Sequence, residues 1–135
     1  MNDPISEIKG IGPDLKVKLE AEGIRNTEQF LKHARTAHQR TELAHKVGTT
    51  QVVIKELANR ADLMRLNGVG GVYANVLEEV GVNSCKELQH RVPERLHATL
   101  EEALTSKKLA QHVPTLAQIT GWIAEAKTLA ATSPE

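Results

Sequence analysis

The chain has 135 residues, and its 17 basic and 17 acidic side chains give a formal net charge of zero. This balance argues against a strongly basic nucleic-acid scaffold, although residues 1–60 carry ten Lys and Arg against eight Asp and Glu (+2) and residues 61–135 carry seven against nine (−2). Frequent Leu, Ala, Glu and Lys, with one Phe, one Tyr and one Trp, predict an all-α protein.

The first predicted unit is the stretch IKGIGPDLKVKLEAEGI at residues 8–24, which we call hairpin one. Residues 10–12, Gly-Ile-Gly, are predicted to form a tight turn. Pro13 then suits the first position of a helix, where its missing N–H costs little. Gly23 suits the left-handed conformation that ends a helix. Hairpin one is therefore expected to be two short helices joined by a glycine turn.

The same pattern recurs 58 residues later, in LNGVGGVYANVLEEVGV at residues 66–82, which we call hairpin two. The matching pairs are Gly10 and Gly68, Ile11 and Val69, Gly12 and Gly70, Leu19 and Leu77, Gly23 and Gly81, Ile24 and Val82, and Phe30 and Leu88. Four identities and three apolar exchanges at turn and core positions indicate a duplicated structural unit.

Further helices are predicted between and after the two hairpins. Capping-box spacing marks three helix starts, at Thr36 with Gln39, Ser84 with Glu87, and Thr115 with Gln118. Short linkers predict one compact bundle of short helices. Residues 1–61 would hold the first unit with its following helices, and residues 62–135 the second unit with the C-terminal helices. The final residues, ATSPE, are expected to be a frayed tail.

The two hairpins resemble the helix-hairpin-helix motif, in which an apolar-x-Gly-apolar-Gly turn precedes a helix that ends in Gly and an apolar residue. From about Ile5 to Lys127 the chain further resembles an uncharacterised bacterial family of tandem helix-hairpin-helix domains, a domain of unknown function. The segments IKGIGP, ADLMRLNGVG and WIAEAK carry this likeness. The resemblance implies a fold but assigns no biochemical role. Helix-hairpin-helix modules in general bind DNA without reading its sequence.

The physical basis for such binding is present in the residues. A Gly-x-Gly turn lets the backbone approach a phosphate because no Cβ stands in the way, and the helix that follows offers free N–H groups at its positive end. The expected nucleic-acid-binding residues are Gly10, Ile11, Gly12, Lys16, Lys18, Gly68, Val69 and Gly70, with Lys9 as a further cation. The lysines would add affinity through counterion release.

Hairpin one is the better candidate of the two, although it departs from the usual motif. Asp14 places a carboxylate in the first turn after Gly12, and Lys16 stands where a small Ala is usual. Hairpin two has no basic residue before Lys86 and is followed by Glu78 and Glu79. Two alternatives stay open: the glycines form only structural turns, or the protein is an interaction module that binds a protein partner or itself.

No catalytic residue, cofactor or metal site is predicted, so the protein is expected not to be an enzyme. The six histidines lack the i, i+4 spacing of two ligands on one helix face. Cys85 is expected to be a bystander and Trp122 to anchor the core. Asp62 is expected to cap the short helix that leads into hairpin two or to pair with Arg65. The single cysteine and the absence of a long apolar run favour a cytoplasmic protein without membrane association.

Overall fold

The computed structural model describes residues 2–106 and 112–135, and these residues form helices without a strand. The α-helices are α1 Pro13–Ala21, α2 Thr27–His33, α3 Ala37–Val47, α4 Gln51–Met64, α5 Gly71–Glu79, α6 Cys85–Leu88, α7 Pro93–Ser106 and α8 Leu116–Leu129, with 3-10 helices at Ile5–Glu7 and Ala130–Thr132. The all-α prediction is confirmed. Among the described residues, no helix combines the length and the apolar character needed to cross a bilayer.

Side-chain caps start most of these helices. Asn26, Thr36, Thr50, Ser84 and Thr115 each accept a hydrogen bond from the backbone N–H three residues later. The capping boxes expected at Thr36 and Thr115 are complete. Helices α1 and α5 begin differently, because their N-cap residues are Gly12 and Gly70, which have no side chain to cap with. The two hairpin helices thus start with open N-termini.

One core of buried apolar side chains joins both halves of the chain. Phe30 and Leu88, matched by the 58-residue spacing, are both fully buried in it. Trp122 is 4% exposed and lies in the same core, which confirms its expected role as an anchor. Burial of this apolar surface is the main term that holds the short helices together.

Asp62 is a buried polar residue that joins three parts of the chain. Its carboxylate pairs with Arg65 at 2.5 Å, and it accepts hydrogen bonds from the Cys85 N–H and the Ser133 hydroxyl, both at 2.8 Å. The predicted pairing with Arg65 is confirmed. The predicted capping was assigned to the wrong helix, because Asp62 receives the first N–H of α6 rather than one in its own segment.

The C-terminal segment is ordered by these contacts, and the prediction of a frayed tail is wrong. Ser133 is 1% exposed and is held by Asp62. The Glu135 N–H donates to the Arg35 carbonyl at 2.8 Å. A polar, Pro-containing sequence suggested fraying, but a buried carboxylate needs hydrogen-bond donors, and the tail supplies one.

Candidate nucleic-acid interface

In the turn of hairpin one, the backbone conformation and the packing require glycine at position 10 but not at position 12. Gly10 has φ +100°, and a Cβ on it would lie 3.1 Å from Arg60 Nη1 and 3.2 Å from Leu57. Gly12 has an extended backbone, with φ −86°, and a Cβ there would meet nothing within 4 Å. Gly12 is exposed, whereas Ile11 between the two glycines is half-buried. Gly12 therefore lies on the solvent-exposed side of the turn, where α1 begins, and we call this position the mouth of the turn.

Backbone N–H groups converge at this mouth. The Gly12 carbonyl accepts the Lys16 N–H at 3.0 Å, which is the first bond of α1. The N–H groups of Asp14 and Leu15 precede that bond and have no acceptor inside the helix. Pro13 brings no N–H. The start of α1 therefore presents uncapped donors at the positive end of a helix, an arrangement that favours an anion.

Hairpin one contains three lysines, Lys9, Lys16 and Lys18, and their side chains differ in what they contact. Lys16 and Lys18 are exposed on α1. Lys18 Nζ lies 3.7 Å from where a Cβ on Gly48 would stand, at the C-terminal end of α3. Lys9 Nζ instead donates to Asn75 Oδ1 at 3.0 Å. Lys16 and Lys18 are thus available to a ligand at the surface, whereas Lys9 is used to join the two hairpins.

Arg60 fixes the inner side of hairpin one. Its Nε and Nη2 donate to the two carboxylate oxygens of Glu78 at 2.8 and 3.0 Å, and its Nη1 donates to the Lys9 carbonyl at 2.9 Å. The hydrogen bond with Glu78 raises the pKa of Arg60 above its ordinary value, so the guanidinium stays charged. Sequence reasoning missed this pair because its members lie on different helices, 18 residues apart, with no shared periodicity.

A second contact between the hairpins lies at the start of α5. A Cβ on Gly71 would come within 2.7 Å of the Glu7 carbonyl oxygen. The backbone of the 3-10 helix therefore packs directly against α5, which requires a glycine at this position. Together with Arg60 and Lys9, this contact fixes hairpin one relative to the helix of hairpin two.

Hairpin two has the same backbone geometry as hairpin one. Gly68 has φ +87°, and Gly81, like Gly23, has a positive φ. Three backbone N–H to carbonyl hydrogen bonds of the first unit have equivalents 58 residues later. Ile8 to Ile5 (3.0 Å) matches Leu66 to Leu63 (3.1 Å), and Ile11 to Ile8 (3.2 Å) matches Val69 to Leu66 (3.0 Å). Ile24 to Leu19 (3.0 Å) matches Val82 to Leu77 (2.9 Å). Val69 is fully buried, and Gly70 is half-buried at the start of α5.

Helix α8 covers hairpin two. Glu125 Oε1 accepts the Asn67 N–H at 2.8 Å, and the Trp122 Nε1–H donates to the Asn67 carbonyl at 3.1 Å. The rings of Tyr73 and Trp122 lie 5.6 Å apart between centroids. The sequence predicted Trp122 as a core anchor but neither its contact with Asn67 nor that of Glu125, since both residues lie more than 50 positions from Asn67 and helix periodicity does not report such distant contacts.

The other side chains that could bind a metal ion or act as a nucleophile either lie apart from one another or make structural contacts. No His, Cys, Asp and Glu in the described ranges form a group of three that could hold a metal ion. Burial raises the pKa of the Cys85 thiol, and the nearby Asp62 carboxylate raises it further, which disfavours the thiolate that a nucleophile needs. Cys85 is thus a buried core residue, as expected.

A cavity of about 630 Å³ lies between α2 and the C-terminal segment, away from both glycine turns. Arg35 and Arg65 line it. Arg35 Nη2 donates to the Ala131 carbonyl at 3.1 Å, and Arg65 Nη2 donates to the Leu129 carbonyl at 3.0 Å. These arginines, which follow the ends of α2 and α4, tie the C-terminal segment to the rest of the chain, so the charged side chains of this cavity have a structural role.

Comparison with known proteins agrees with the resemblance at the level of the family. No curated protein matches the chain, and no solved structure matches it. A family model matches residues 9–129, which include both glycine turns and all of α8. The chain therefore belongs to the family described as Domain of unknown function (DUF4332).

Proposed function

We propose that this protein is a non-enzymatic helix-hairpin-helix protein that binds DNA through backbone phosphates at hairpin one, without sequence preference. One observation carries the proposal. Helix α1 starts at an exposed glycine with no cap, whereas the neighbouring α2, α3 and α4 start with side chains that take up their N–H groups. The start of α1 is thus left open to an outside acceptor. Two exposed lysines lie further along the same helix, Lys16 one turn after Gly12 and Lys18 in the last turn.

We further propose that the two hairpins are helix-hairpin-helix units of one internal repeat. The matched hydrogen bonds and the matched positive-φ glycines, 58 residues apart, support this view. Their different surroundings support a division of roles, because hairpin one is open to solvent at Gly12 whereas hairpin two lies against α8.

In the proposed complex, the N–H groups of Gly12, Asp14 and Leu15 donate to oxygens of one phosphate. Lys16 and Lys18 neutralise neighbouring phosphates on the same strand and release their counterions. Phosphate contacts position a protein on a duplex but carry no sequence information directly. Asp14 lies in the same first turn, where its carboxylate opposes the anion, so modest affinity is expected.

The alternative of a protein-interaction module receives less support. In this alternative, the neutral net charge and the apolar residues of a helix such as that at 115–130 favour a partner protein or self-association. Ile119, Trp122, Ile123 and Ala126 are instead buried in the core of this chain. The apolar face of α8 is therefore already used, and the open polar mouth of hairpin one is the better-supported site.

Charge reversal on α1 tests the proposal. Lys16→Glu with Lys18→Glu should lower affinity for a labelled duplex of about 20 base pairs by roughly tenfold or more at low salt, because two phosphate contacts are lost. The matched control is Lys86→Glu with Lys127→Glu, which makes the same change in net charge at exposed positions on α6 and α8. Affinity is measured by fluorescence anisotropy of the labelled duplex. An equal loss of affinity in both double variants would contradict binding at hairpin one.

A further inference from the structure

The cavity between α2 and the C-terminal segment has the size of a small-molecule site. Its volume of about 630 Å³ falls within the range of roughly 300–1,000 Å³ that ligand pockets occupy. Side chains from four parts of the chain converge on it: the N-terminal segment, α2 with the residues that follow it, the end of α4, and the 3-10 helix at Ala130–Thr132. A molecule in this cavity would therefore contact several elements of the fold at once.

The described lining of this cavity carries more positive than negative charge. Lys32, Arg35 and Arg65 line it together with one carboxylate, that of Glu28. Glu28 lies 3.6 Å from Lys32, and both side chains are mostly exposed, so this ion pair is weak. Arg65 is balanced by the buried Asp62, whereas no carboxylate in the described part of the chain forms an ion pair with Arg35. The cavity therefore favours an anion over a neutral molecule or a cation.

The two guanidinium groups of the cavity are held in position. Arg35 donates to the Ala131 carbonyl and Arg65 to the Leu129 carbonyl, two residues earlier, and Arg65 Nη1 also donates to the Thr132 hydroxyl at 2.9 Å. The bond to Ala131 uses one of the five N–H donors of Arg35. Because the arginines are ordered without a ligand, less side-chain entropy is lost on binding. A guanidinium fork also matches the oxygens of a carboxylate or a phosphate.

Further positive charge lies behind this lining. Arg40 is 3% exposed, and its Nη1 donates to the Arg35 carbonyl at 2.7 Å. Burial lowers the pKa of Arg40 and of Lys55, and the cations of Arg40 and Lys86 lower the pKa of Lys55 further, with nearby acids offsetting only part of the shift. The surroundings thus disfavour positive charge already present, and an added anion would relieve this repulsion.

We propose that the cavity binds a small organic anion. Its carboxylate or phosphate group accepts hydrogen bonds from Arg35 and Lys32 in the field of the fixed Arg65 guanidinium. Its apolar part packs against Leu31, which lines the same cavity and is 9% exposed. This site is separate from hairpin one, so the inference does not depend on the proposed binding of DNA.

Isothermal titration calorimetry with phenyl phosphate and with benzoate tests the site, and phenol serves as the neutral probe. Lys32→Gln removes a lining charge without touching the bonds to the C-terminal segment, and Arg35→Gln removes the unpaired guanidinium. Each should weaken binding of the preferred anion by about three- to tenfold, as for one charge-assisted hydrogen bond. The matched control is Arg91→Gln, since Arg91 also donates to a main-chain carbonyl, that of Gly81, but lies outside the cavity. Its affinity should equal that of the wild type.

Three results would overturn the proposal: no binding of either anion at millimolar concentration, phenol bound as tightly as the anions, or unchanged affinity in Lys32→Gln and Arg35→Gln. Tighter binding of phenyl phosphate assigns a phosphate ligand to the cavity, and tighter binding of benzoate assigns a carboxylate ligand.

Amide NMR separates this site from hairpin one. The bound anion should shift the amide signals of residues 27–35 and 129–132. Shifts at residues 12–15 alone would overturn the cavity site while they support anion binding at hairpin one. Shifts at 27–35 and 129–132 alone would support the cavity site and count against hairpin one.

Discussion

Arg60 Nη1 donates a hydrogen bond of 2.9 Å to the carbonyl oxygen of Lys9, and this contact joins α4 to the turn of hairpin one. The same guanidinium binds both carboxylate oxygens of Glu78 on α5. A planar fork of donors is needed to reach three acceptors at once, which suits arginine and not lysine. The orientation of the proposed phosphate site therefore depends on a side chain that does not itself face the ligand.

Replacement of Arg60 should destabilise the fold. Arg60→Ala removes three charge-assisted hydrogen bonds, and we expect the free energy of unfolding to fall by about 1–3 kcal/mol. Arg60→Lys should recover only part of this loss, since it cannot form the bidentate pair. Urea unfolding followed by circular dichroism measures the effect. A change below about 0.5 kcal/mol for Arg60→Ala would contradict the structural role.

The two glycines of the first turn should respond in opposite ways to alanine. Gly10→Ala should destabilise by about 1–2 kcal/mol, because Gly10 has φ +100° and lies close to Leu57 and Arg60. Gly12→Ala should leave stability unchanged or raise it by about 0.4–1 kcal/mol, since its extended backbone suits any residue and its Cβ meets no atom.

Gly12 also separates stability from binding. Gly12→Val should keep the helical circular dichroism spectrum while it weakens duplex binding, because only a bound phosphate would meet the new side chain. A Gly12→Val protein that binds the duplex as tightly as the wild type would show that the mouth of the turn is not the contact point.

Gly71 and Gly121 offer a second matched pair. Gly71→Ala forces its Cβ against the Glu7 carbonyl at 2.7 Å, and the required backbone shift should cost about 1–3 kcal/mol. Gly121→Ala should instead stabilise the protein by up to about 1 kcal/mol. Thermal unfolding of the two variants should move in opposite directions. A stable Gly71→Ala protein would contradict the close packing of the two hairpins.

Cys85 should make stability fall in alkaline solution. Burial raises the thiol pKa in the folded protein above its ordinary value, so above about pH 9 the unfolded chain loses a proton that the folded chain retains. The free energy of unfolding then falls by about 1.4 kcal/mol per pH unit at pH values well above the thiol pKa of the unfolded chain. Cys85→Ala should show a shallower decline of unfolding free energy between pH 9 and pH 10.5. Equal declines in the two proteins would contradict this assignment.

Local features of the fold could be predicted from sequence because they depend on neighbouring residues. Glycine turns, capping boxes and apolar spacing report contacts within about four positions. These local patterns predicted α1, α3, α5 and α8 and the positions at which these helices begin. The open mouth at Gly12 could be inferred in the same way, since glycine and proline at a helix start have local consequences.

The remaining features depend on long-range packing. Nothing in the sequence pairs Glu125 with Asn67 or Arg60 with Glu78, because side chains from separate helices meet only after the core has formed. The C-terminal segment shows the same limit. Its composition predicted fraying, but the burial of Asp62 gave Ser133 a partner and fixed the segment in place.

Binding of wild-type protein to duplex DNA tests the central claim most directly. Fluorescence anisotropy of a labelled duplex of about 20 base pairs, titrated at several salt concentrations, gives both the affinity and its salt dependence. We expect affinity to fall with salt at a log–log slope of roughly −2 to −4, as for two to four neutralised phosphates. No binding at tens of micromolar protein in low salt would contradict the account, and the glycine hairpins would then be structural turns alone.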